Sequence, residues 1–343
     1  MSPNALLGPP PVTTTEVGLS CYTAAVARYL SQAYVDPAGR IARSIRLAVR
    51  VLPGDLLAFS HHRHDLADLG NGTRLIWRHA PVTAVGDRLA AELARAGQVI
   101  VVGHTGALPW SPASIEDSAP HFLLVNRHDR DRWWVVDDFA ALLPSGRQEP
   151  FAGWVDTRTL LAAMTPPRTL GPEHHLRTAY ALGVPTAPPP GRPLWLAARP
   201  AAPEPAAGHS GWHTEPLAVL DLLADFFAGL DAAGRRARFV EDLWAAAQHH
   251  TYRCSYLLDR VDLSPGQRRT VAAARGAWEA LPMALRFAAD SAARGRPRPA
   301  LVAASFAPLR RAEHDLITVL TAHGWHRSGD VLAGSEPREK RAA

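Results

Sequence analysis

Residues 121–140, "HFLLVNRHDRDRWWVVDDFA", predict an antiparallel β-hairpin. Two apolar runs, HFLLV and WWVV, flank the polar turn NRHDRDR, which is the pattern of two adjacent strands. The run "QVIVVGHT" at 98–105 has the continuous apolar character of a buried strand. Helical spacing comes earlier, in "SCYTAAVARYLSQAY" at 20–34 and "VGDRLAAELARAG" at 85–97. The run "IARSIRLAVRVL" at 41–52 fits either a short helix or a strand, and helices followed by a sheet predict an α+β domain.

The composition changes near residue 184, where prolines and small residues become dominant. The stretches "VPTAPPPGRP" and "RPAAPEPAAGHSG" are typical of linkers. Beyond them, the apolar periodicity of amphipathic helices predicts a bundle of about four members. We therefore expect a first domain at 1–183, a Pro/Ala-rich linker at 184–215, a C-terminal helical domain at 216–327 and a disordered tail at 328–343.

The composition is typical of a globular protein, with 47% of the 343 residues hydrophobic and 20% charged. No apolar run approaches the ~20 residues of a membrane-spanning helix, and the N-terminal residues lack the basic and apolar regions of a secretory signal. We therefore expect a cytoplasmic protein without membrane contact. In that reducing compartment the two cysteines, Cys21 and Cys254, are expected to be free thiols.

The formal net charge of +5 comes from arginines scattered along the chain rather than from one basic block. Scattered charge argues against nucleic-acid binding, which uses a concentrated basic surface. It is consistent with attraction to an acidic protein partner, of which a carrier protein with a phosphopantetheine arm is one example.

The candidate chemistry begins with Cys21, at the start of a predicted helix and directly after Ser20. A helix N-terminus and a neighbouring imidazole both favour the reactive thiolate of a cysteine. His121 opens the first strand of the predicted hairpin, and Asp137 ends the second, so adjacent strands could bring the carboxylate to the imidazole. The neighbouring Asp138 leaves a choice of carboxylate, in which Asp137 is preferred because it continues the strand pattern. The order Cys, His, Asp is that of papain-like nucleophiles.

The motifs "CYTAAVARYL", "GQVIVVGHTGALPW" and "HFLLVNRHDRDRWWVVDDFA" resemble the family of butirosin biosynthesis protein H. The resemblance covers roughly residues 15–165 and, more loosely, the helical half. It implies a papain-like N-terminal domain that uses a Cys-His-Asp triad to move an acyl group from an acyl-carrier-protein thioester to an amine. By this resemblance Cys21 is the nucleophile that accepts the acyl group, His121 is the base, and Asp137 orients the base.

Two departures from the expected pattern concern the pocket. His104 stands where the family pattern favours an aspartate, so the polarity of the substrate at that position is in doubt. The oxyanion glutamine of papain-type enzymes is missing from "TTTEVGLSC", the segment that ends at the nucleophile. Backbone N–H groups at the helix start could replace it, with Ser20 as a weaker candidate. Ser20, His104, Trp110 and Asp138 are therefore the candidate residues of the oxyanion or substrate pocket.

The histidine-rich stretch "SHHRHDLADLG" at 60–70 invites a metal-site interpretation, because imidazole is a good zinc ligand. Adjacent histidines point apart on any regular element, so we expect no metal site here. The same argument applies to His249 and His250. We also expect no cofactor of the protein's own, since the phosphopantetheine arm would arrive on the substrate.

Three functions remain open for these residues. The preferred one is acyl transfer from an acyl or peptidyl carrier protein, through Cys21, to a small-molecule amine. A thioester-dependent cyclase of the Dieckmann or lactam type would use the same triad, and a catalytically decayed chain would serve only as a carrier-binding partner. The helical half is expected to cover the cleft and select the acceptor or the carrier protein. The sequence also leaves a homodimer open.

Overall fold

The computed structural model describes residues 18–63, 65–143, 145–167, 170–183, 191–201 and 211–325. Within these residues the chain forms nine α-helices and ten β-strands. The helices are α1 (Cys21–Leu30), α2 (Pro37–Ser44), α3 (Val82–Ala96), α4 (Thr157–Met164), α5 (Pro172–Tyr180), α6 (Pro216–Ala228), α7 (Val240–Arg260), α8 (Pro265–Ala293) and α9 (Pro299–Ala322). The strands are β1 (Ile45–Leu52), β2 (Leu56–His62), β3 (Thr73–His79), β4 (Val99–His104), β5 (Pro120–Asp129), β6 (Arg132–Asp137), β7 (Ala141–Leu143), β8 (Gly146–Gln148), β9 (Phe151–Asp156) and β10 (Leu194–Pro200).

Six strands form one antiparallel sheet in the order β3-β10-β4-β5-β6-β9. Two separate hairpins, β1-β2 and β7-β8, lie outside this sheet. The hairpin predicted at 121–140 is confirmed as β5 and β6, which pair as far as Asp129 opposite Arg132. Its loop is tighter than the predicted polar turn, because Arg130 adopts a φ of 55° and reverses the chain within two residues. The fold is therefore α+β, with α1 preceding the sheet.

Helix α1 packs across one face of the sheet. Leu30 near its C-terminal end is fully buried in a core that includes Ile100 of β4 and Phe122 of β5. At the other end Ser20 caps the helix, since its Oγ accepts the Thr23 N–H at 3.4 Å. A helix held along its length by this core presents its N-terminus at a fixed position.

Strand β10 corrects the predicted linker at 184–215. Residues 194–200 pair with β3 on one side and with β4 on the other, so this segment lies inside the six-stranded sheet. The Trp195 side chain is buried, and such burial favours a strand between two proline-rich stretches. The linker prediction is therefore wrong for this segment, whereas 184–190 and 202–210 lie outside the described residues.

Helices α6 to α9 confirm the predicted bundle of about four helices. The β1-β2 hairpin belongs to the same core, because Val49 and Phe59 are buried together with Val219 and Phe227 of α6. The predicted catalytic and helical domains are thus joined through this hairpin. Of the helices in the described residues, none has the length and apolar character that a membrane span needs. The predicted tail at 328–343 lies outside the described residues.

A buried ionic network ties α7, α8 and α9 together. Arg253 Nη2 lies 3.0 Å from Glu313 Oε1, and their side chains are only 4% and 3% exposed. Trp278 Nε1 donates to Glu313 Oε2 at 3.0 Å, and Arg253 Nη2 also donates to His250 Nδ1 at 3.0 Å. Burial opposes ionisation of Glu313, but the Arg253 charge and these contacts hold its pKa well below the ordinary range.

Candidate active site

Cys21 is the first residue of α1 and a half-buried free thiol. The first N–H groups of a helix have no acceptor within the helix, so the Cys21 N–H is available to an outside oxygen. The helix dipole also places partial positive charge at this end. The position therefore favours negative charge both on the thiol and on an oxygen bound beside it.

His121 and Asp137 meet Cys21 at one edge of the sheet. Strand β5 begins at Pro120 and β6 ends at Asp137, so antiparallel pairing brings the two side chains to the same edge. The distance between His121 Nε2 and Asp137 Oδ2 is 2.8 Å, and the side chains are 2% and 1% exposed. Cys21 lies close enough to His121 for its thiol to raise the pKa of the imidazole. Because Nε2 is used by Asp137, Nδ1 is the nitrogen that remains available to the thiol.

The pKa of His121 is set by two opposing effects. Burial lowers it, but the charges of Asp137 and of the Cys21 thiolate, together with their hydrogen bonds, raise it to about 10. The imidazole is therefore protonated at neutral pH and carries the charge that a thiolate needs beside it. This arrangement keeps a positive charge beside the sulfur of Cys21.

Asp137, rather than Asp138, contacts the imidazole. Besides His121, Oδ2 of Asp137 accepts from Trp110 Nε1 at 2.8 Å and from Gln148 Nε2 at 3.3 Å. Asp138 instead forms an ion pair with Arg28, with Oδ2 at 3.8 Å from Nε. Burial raises the pKa of Asp138 against the opposing charge of Arg28. The choice between the two carboxylates is thus settled by geometry.

Trp110, predicted as a pocket residue, donates a hydrogen bond to the Asp137 carboxylate. Its indole stacks on Phe151, with ring centroids 4.0 Å apart, and its N–H points at Asp137. The same two aromatic residues line a cleft of about 280 Å³ together with Trp154. Trp110 therefore contacts Asp137 on one side and a cleft on the other.

We expect Trp110→Phe to weaken the hold on Asp137 while keeping the stack on Phe151. Loss of a hydrogen bond to a charged group should lower the free energy of unfolding by about 1.5–3 kcal/mol, measured by urea titration. Trp154→Phe, which truncates an exposed indole, is the control and should change this free energy by less than about 1 kcal/mol. Equal losses in the two variants would contradict a specific role for the Trp110 N–H.

His104 lies next to the pair of Gly103 and His121 in the sheet, but its side chain is directed away from that of His121. Gly103 is opposite His121 and His104 is opposite Pro120, so strand alternation directs the His104 side chain to the other face. Burial, and then the charge of His174, lower the pKa of His104 to about 4, so the ring is neutral at pH 7. No hydrogen bond or ion pair joins His104 to the triad within the described part of the chain.

Ser20 is the fourth pocket candidate, and its hydroxyl is already engaged. Besides capping α1, Ser20 Oγ lies 2.9 Å from Nε2 of His249 on α7. The sequence did not single out His249 for this contact, nor Gln148 and Phe139 for theirs. The Phe139 ring lies 5.3 Å from the His121 ring, edge to face. Its position two residues after Asp137 is a signal that sequence reasoning could have used, whereas nothing marks Gln148 as buried.

Comparison with known proteins leaves these contacts as the basis for a function. No protein-family model matches the chain, and no curated protein matches it.

Across the residues that the structure describes, no group of three or more His, Cys, Asp or Glu side chains could hold a metal ion. His61 and His62 of the histidine-rich stretch lie buried on β2, while His64 is outside the described residues.

Proposed function

We propose that the protein is a cysteine-dependent acyltransferase with a papain-like N-terminal fold. It takes an acyl group from a carrier-protein thioester onto Cys21 and passes it to a small-molecule amine. The observation that carries the proposal is the contact of 2.8 Å between His121 Nε2 and Asp137 Oδ2, beside the Cys21 thiol that helps to raise the pKa of the imidazole. A thiol, a base and an orienting carboxylate are the parts that covalent catalysis by cysteine requires.

In the first half-reaction the Cys21 thiolate attacks the thioester carbonyl and forms a carbon–sulfur bond. The tetrahedral intermediate then expels the sulfur of the phosphopantetheine arm, which takes the proton of the His121 imidazolium and leaves as a thiol. The acyl group is now on Cys21, and His121 is neutral. Asp137 keeps the imidazole oriented throughout, because it holds Nε2 while Nδ1 faces the reacting sulfur.

In the second half-reaction the amine attacks the acyl-Cys21 carbonyl. Neutral His121 takes a proton from the attacking nitrogen, the carbon–sulfur bond breaks, and Cys21 leaves as a thiolate. The amide is released, and the thiolate–imidazolium pair is restored. Protons and electrons balance without any cofactor held by the protein.

The developing oxyanion needs donors that point at the reacting carbonyl. The Cys21 N–H at the start of α1 is well placed, since the helix supplies no partner for it and the positive end of the dipole lies there. A backbone donor of this kind replaces the glutamine side chain that is missing from the segment before Cys21. The net charge of +5 also favours approach of an acidic carrier protein.

The proposal is tested by intact-mass measurement after incubation with a panel of acyl-carrier-protein thioesters. We expect the mass of one acyl group to be added to the native protein and to Cys254→Ala, and not to Cys21→Ala. Cys254 is the matched control, because burial raises the pKa of its thiol to about 12 and keeps it unreactive. Adding a panel of amines should then remove the adduct and give the amides.

Two other results would point elsewhere. Loss of the adduct without any added amine, with release of a cyclised acyl chain, would identify a cyclase that uses the same acyl-Cys21. No adduct with any thioester, while iodoacetamide still alkylates Cys21, would contradict the acyltransferase and favour a carrier-binding partner.

A further inference from the structure

The nucleophile helix is bonded to the C-terminal half of the chain at the residue before Cys21. Nε2 of His249 lies 2.9 Å from Ser20 Oγ and 3.4 Å from the Ser20 backbone nitrogen. The Ser20 hydroxyl also contacts Thr23 Oγ1, at 3.1 Å. His249 lies on α7, which begins more than 200 residues after Ser20 in the sequence.

A second imidazole holds the same turn from the other side. Ser44 donates its hydroxyl to the Ile41 carbonyl at 2.7 Å, so Ser44 Oγ must accept from His62 Nδ1, at 2.9 Å. That tautomer leaves His62 Nε2 as an acceptor, and it receives the Thr23 hydroxyl at 3.0 Å. The first turn of α1 is thus held between His62 of β2 and His249 of α7.

The surroundings of His249 keep its ring uncharged. Burial, and then the charges of His61, His62 and His250, hold the pKa of His249 well below its usual range. His61 and His62 face it from β2, with ring centroids at 5.1 and 5.2 Å, and Tyr22 faces it from α1 at 6.0 Å. The ring therefore contacts Ser20 as an uncharged hydrogen-bonding group.

Helix α7 also supports the base. The Phe139 ring packs edge to face against His121, and Trp244 of α7 packs edge to face against Phe139 at 6.0 Å. Helix α7 of the C-terminal half therefore contacts the neighbours of both reacting groups. It contacts Ser20, beside the sulfur, and Phe139, which packs on the imidazole.

We propose that His249 is a positioning residue for the Cys21 nucleophile. It fixes Ser20, and with it the first turn of α1, so that the sulfur stays against His121 and the Cys21 N–H stays directed at the substrate carbonyl. The helical half is then a part of the active centre and not only its cover. This inference deepens the proposed function and rests on Cys21 being its nucleophile.

The experiment compares His249→Gln with His249→Phe in a Cys254→Ala background, where Cys21 is the remaining thiol. A glutamine side-chain amide can replace Nε2 as a hydrogen-bonding group, whereas phenylalanine keeps an aromatic ring and removes that group. The rate of Cys21 alkylation by iodoacetamide is measured near pH 6 and near pH 9 by intact mass. Thermal unfolding of each variant reports packing separately.

We expect His249→Phe to lose about 10-fold or more in alkylation rate near pH 6 and to stay within about 3-fold near pH 9, where a thiol ionises without help. His249→Gln should stay within about 3-fold of the parent at both pH values. Native rates in His249→Phe, or equal losses in both variants, would overturn the positioning role. If His249→Phe does not fold, Ser20→Ala removes the hydroxyl that contacts His249 and should show the same pH-selective loss.

Failure of the proposed function gives a different result. If the parent itself is alkylated near pH 6 no faster than a small-molecule thiol, the Cys21–His121 pair does not work as proposed, and the role of His249 falls with it. If the parent is activated and the His249 variants match it, the positioning role alone is wrong.

Discussion

Asp137→Asn should slow the alkylation of Cys21 by iodoacetamide about 100-fold near pH 6. Burial lowers the pKa of His121, and the Asp137 charge is the largest of the effects that raise it to about 10. Without that charge the buried imidazole is neutral near pH 6 and cannot stabilise a thiolate. An ordinary cysteine thiol, with a pKa of about 8.5, is only about 0.3% ionised at that pH. The loss is therefore one of ionised nucleophile, measured by intact mass in a Cys254→Ala background.

The pH dependence of the alkylation rate tests the direction of the effect of Asp137. In the native protein the alkylation rate should depend on pH less steeply than in Asp137→Asn up to about pH 9, because His121 stays protonated until the pH approaches 10. In Asp137→Asn the rate should climb about 10-fold per pH unit and approach the native rate at high pH. Asp138→Asn is the matched comparison, since that carboxylate pairs with Arg28, and it should stay within about 3-fold of native. A flat profile in Asp137→Asn, or equal loss in Asp138→Asn, would contradict the assignment.

The proposed reacting residues each stand at the end of an element, which is why the sequence could indicate that they meet. Cys21 begins a helix, His121 lies at the start of a strand and Asp137 closes the next, and the pairing of adjacent strands brings His121 and Asp137 together. The partners of Asp137 were harder to predict. Trp110 comes from a loop between β4 and β5, and Gln148 from a short strand, so neither periodicity nor spacing indicates that they meet the carboxylate.

One error and one open choice of the sequence-based fold have a common origin. Proline-rich flanks hid β10, an inner strand of seven residues. The run at 41–52 was left open between helix and strand and contains both, since α2 ends at Ser44 and β1 begins at Ile45. In each case tertiary pairing decides what a short apolar run becomes. Trp195 is buried between β3 and β4, and the strand forms because the sheet offers two partners.

The contact between Ser20 and His249 could not be predicted from a single sequence. The two residues are separated by 229 positions, and His249 has the helical spacing and the neighbours of an ordinary core residue. Their meeting depends on how α7 lies beside the sheet domain, which in turn depends on the hairpin β1-β2 that shares a core with the bundle. Packing of this kind is non-local, so it is absent from motifs and periodicity.

Glu313→Gln is expected to lower the free energy of unfolding by about 3–5 kcal/mol, the cost of leaving a buried charge without its partner. The substitution keeps the shape of the side chain and an oxygen for the Trp278 N–H. It removes the negative charge that faces Arg253, which is 4% exposed and 3.0 Å away. Urea unfolding near pH 7 measures the loss. Glu279→Gln is the control on α8, because its ion pair with Arg275 is about half exposed and should contribute less than about 1 kcal/mol.

The same network makes the stability of the native protein fall in acid. The pKa of Glu313 in the folded chain lies below its value of about 4.3 in an unfolded chain, so its contribution is complete above that pH and is lost as the pH falls further. His250 acts in the same direction at higher pH: burial and the Arg253 charge lower its pKa to about 4, so its contribution is lost between about pH 6.5 and 4. Glutamine does not titrate, but loss of the Glu313 charge also lowers the pKa of His250 further, so in Glu313→Gln the fall that His250 causes should extend to lower pH. A loss of less than about 1 kcal/mol in Glu313→Gln near pH 7 would mean that the ionised Glu313 carboxylate does not hold the three helices together.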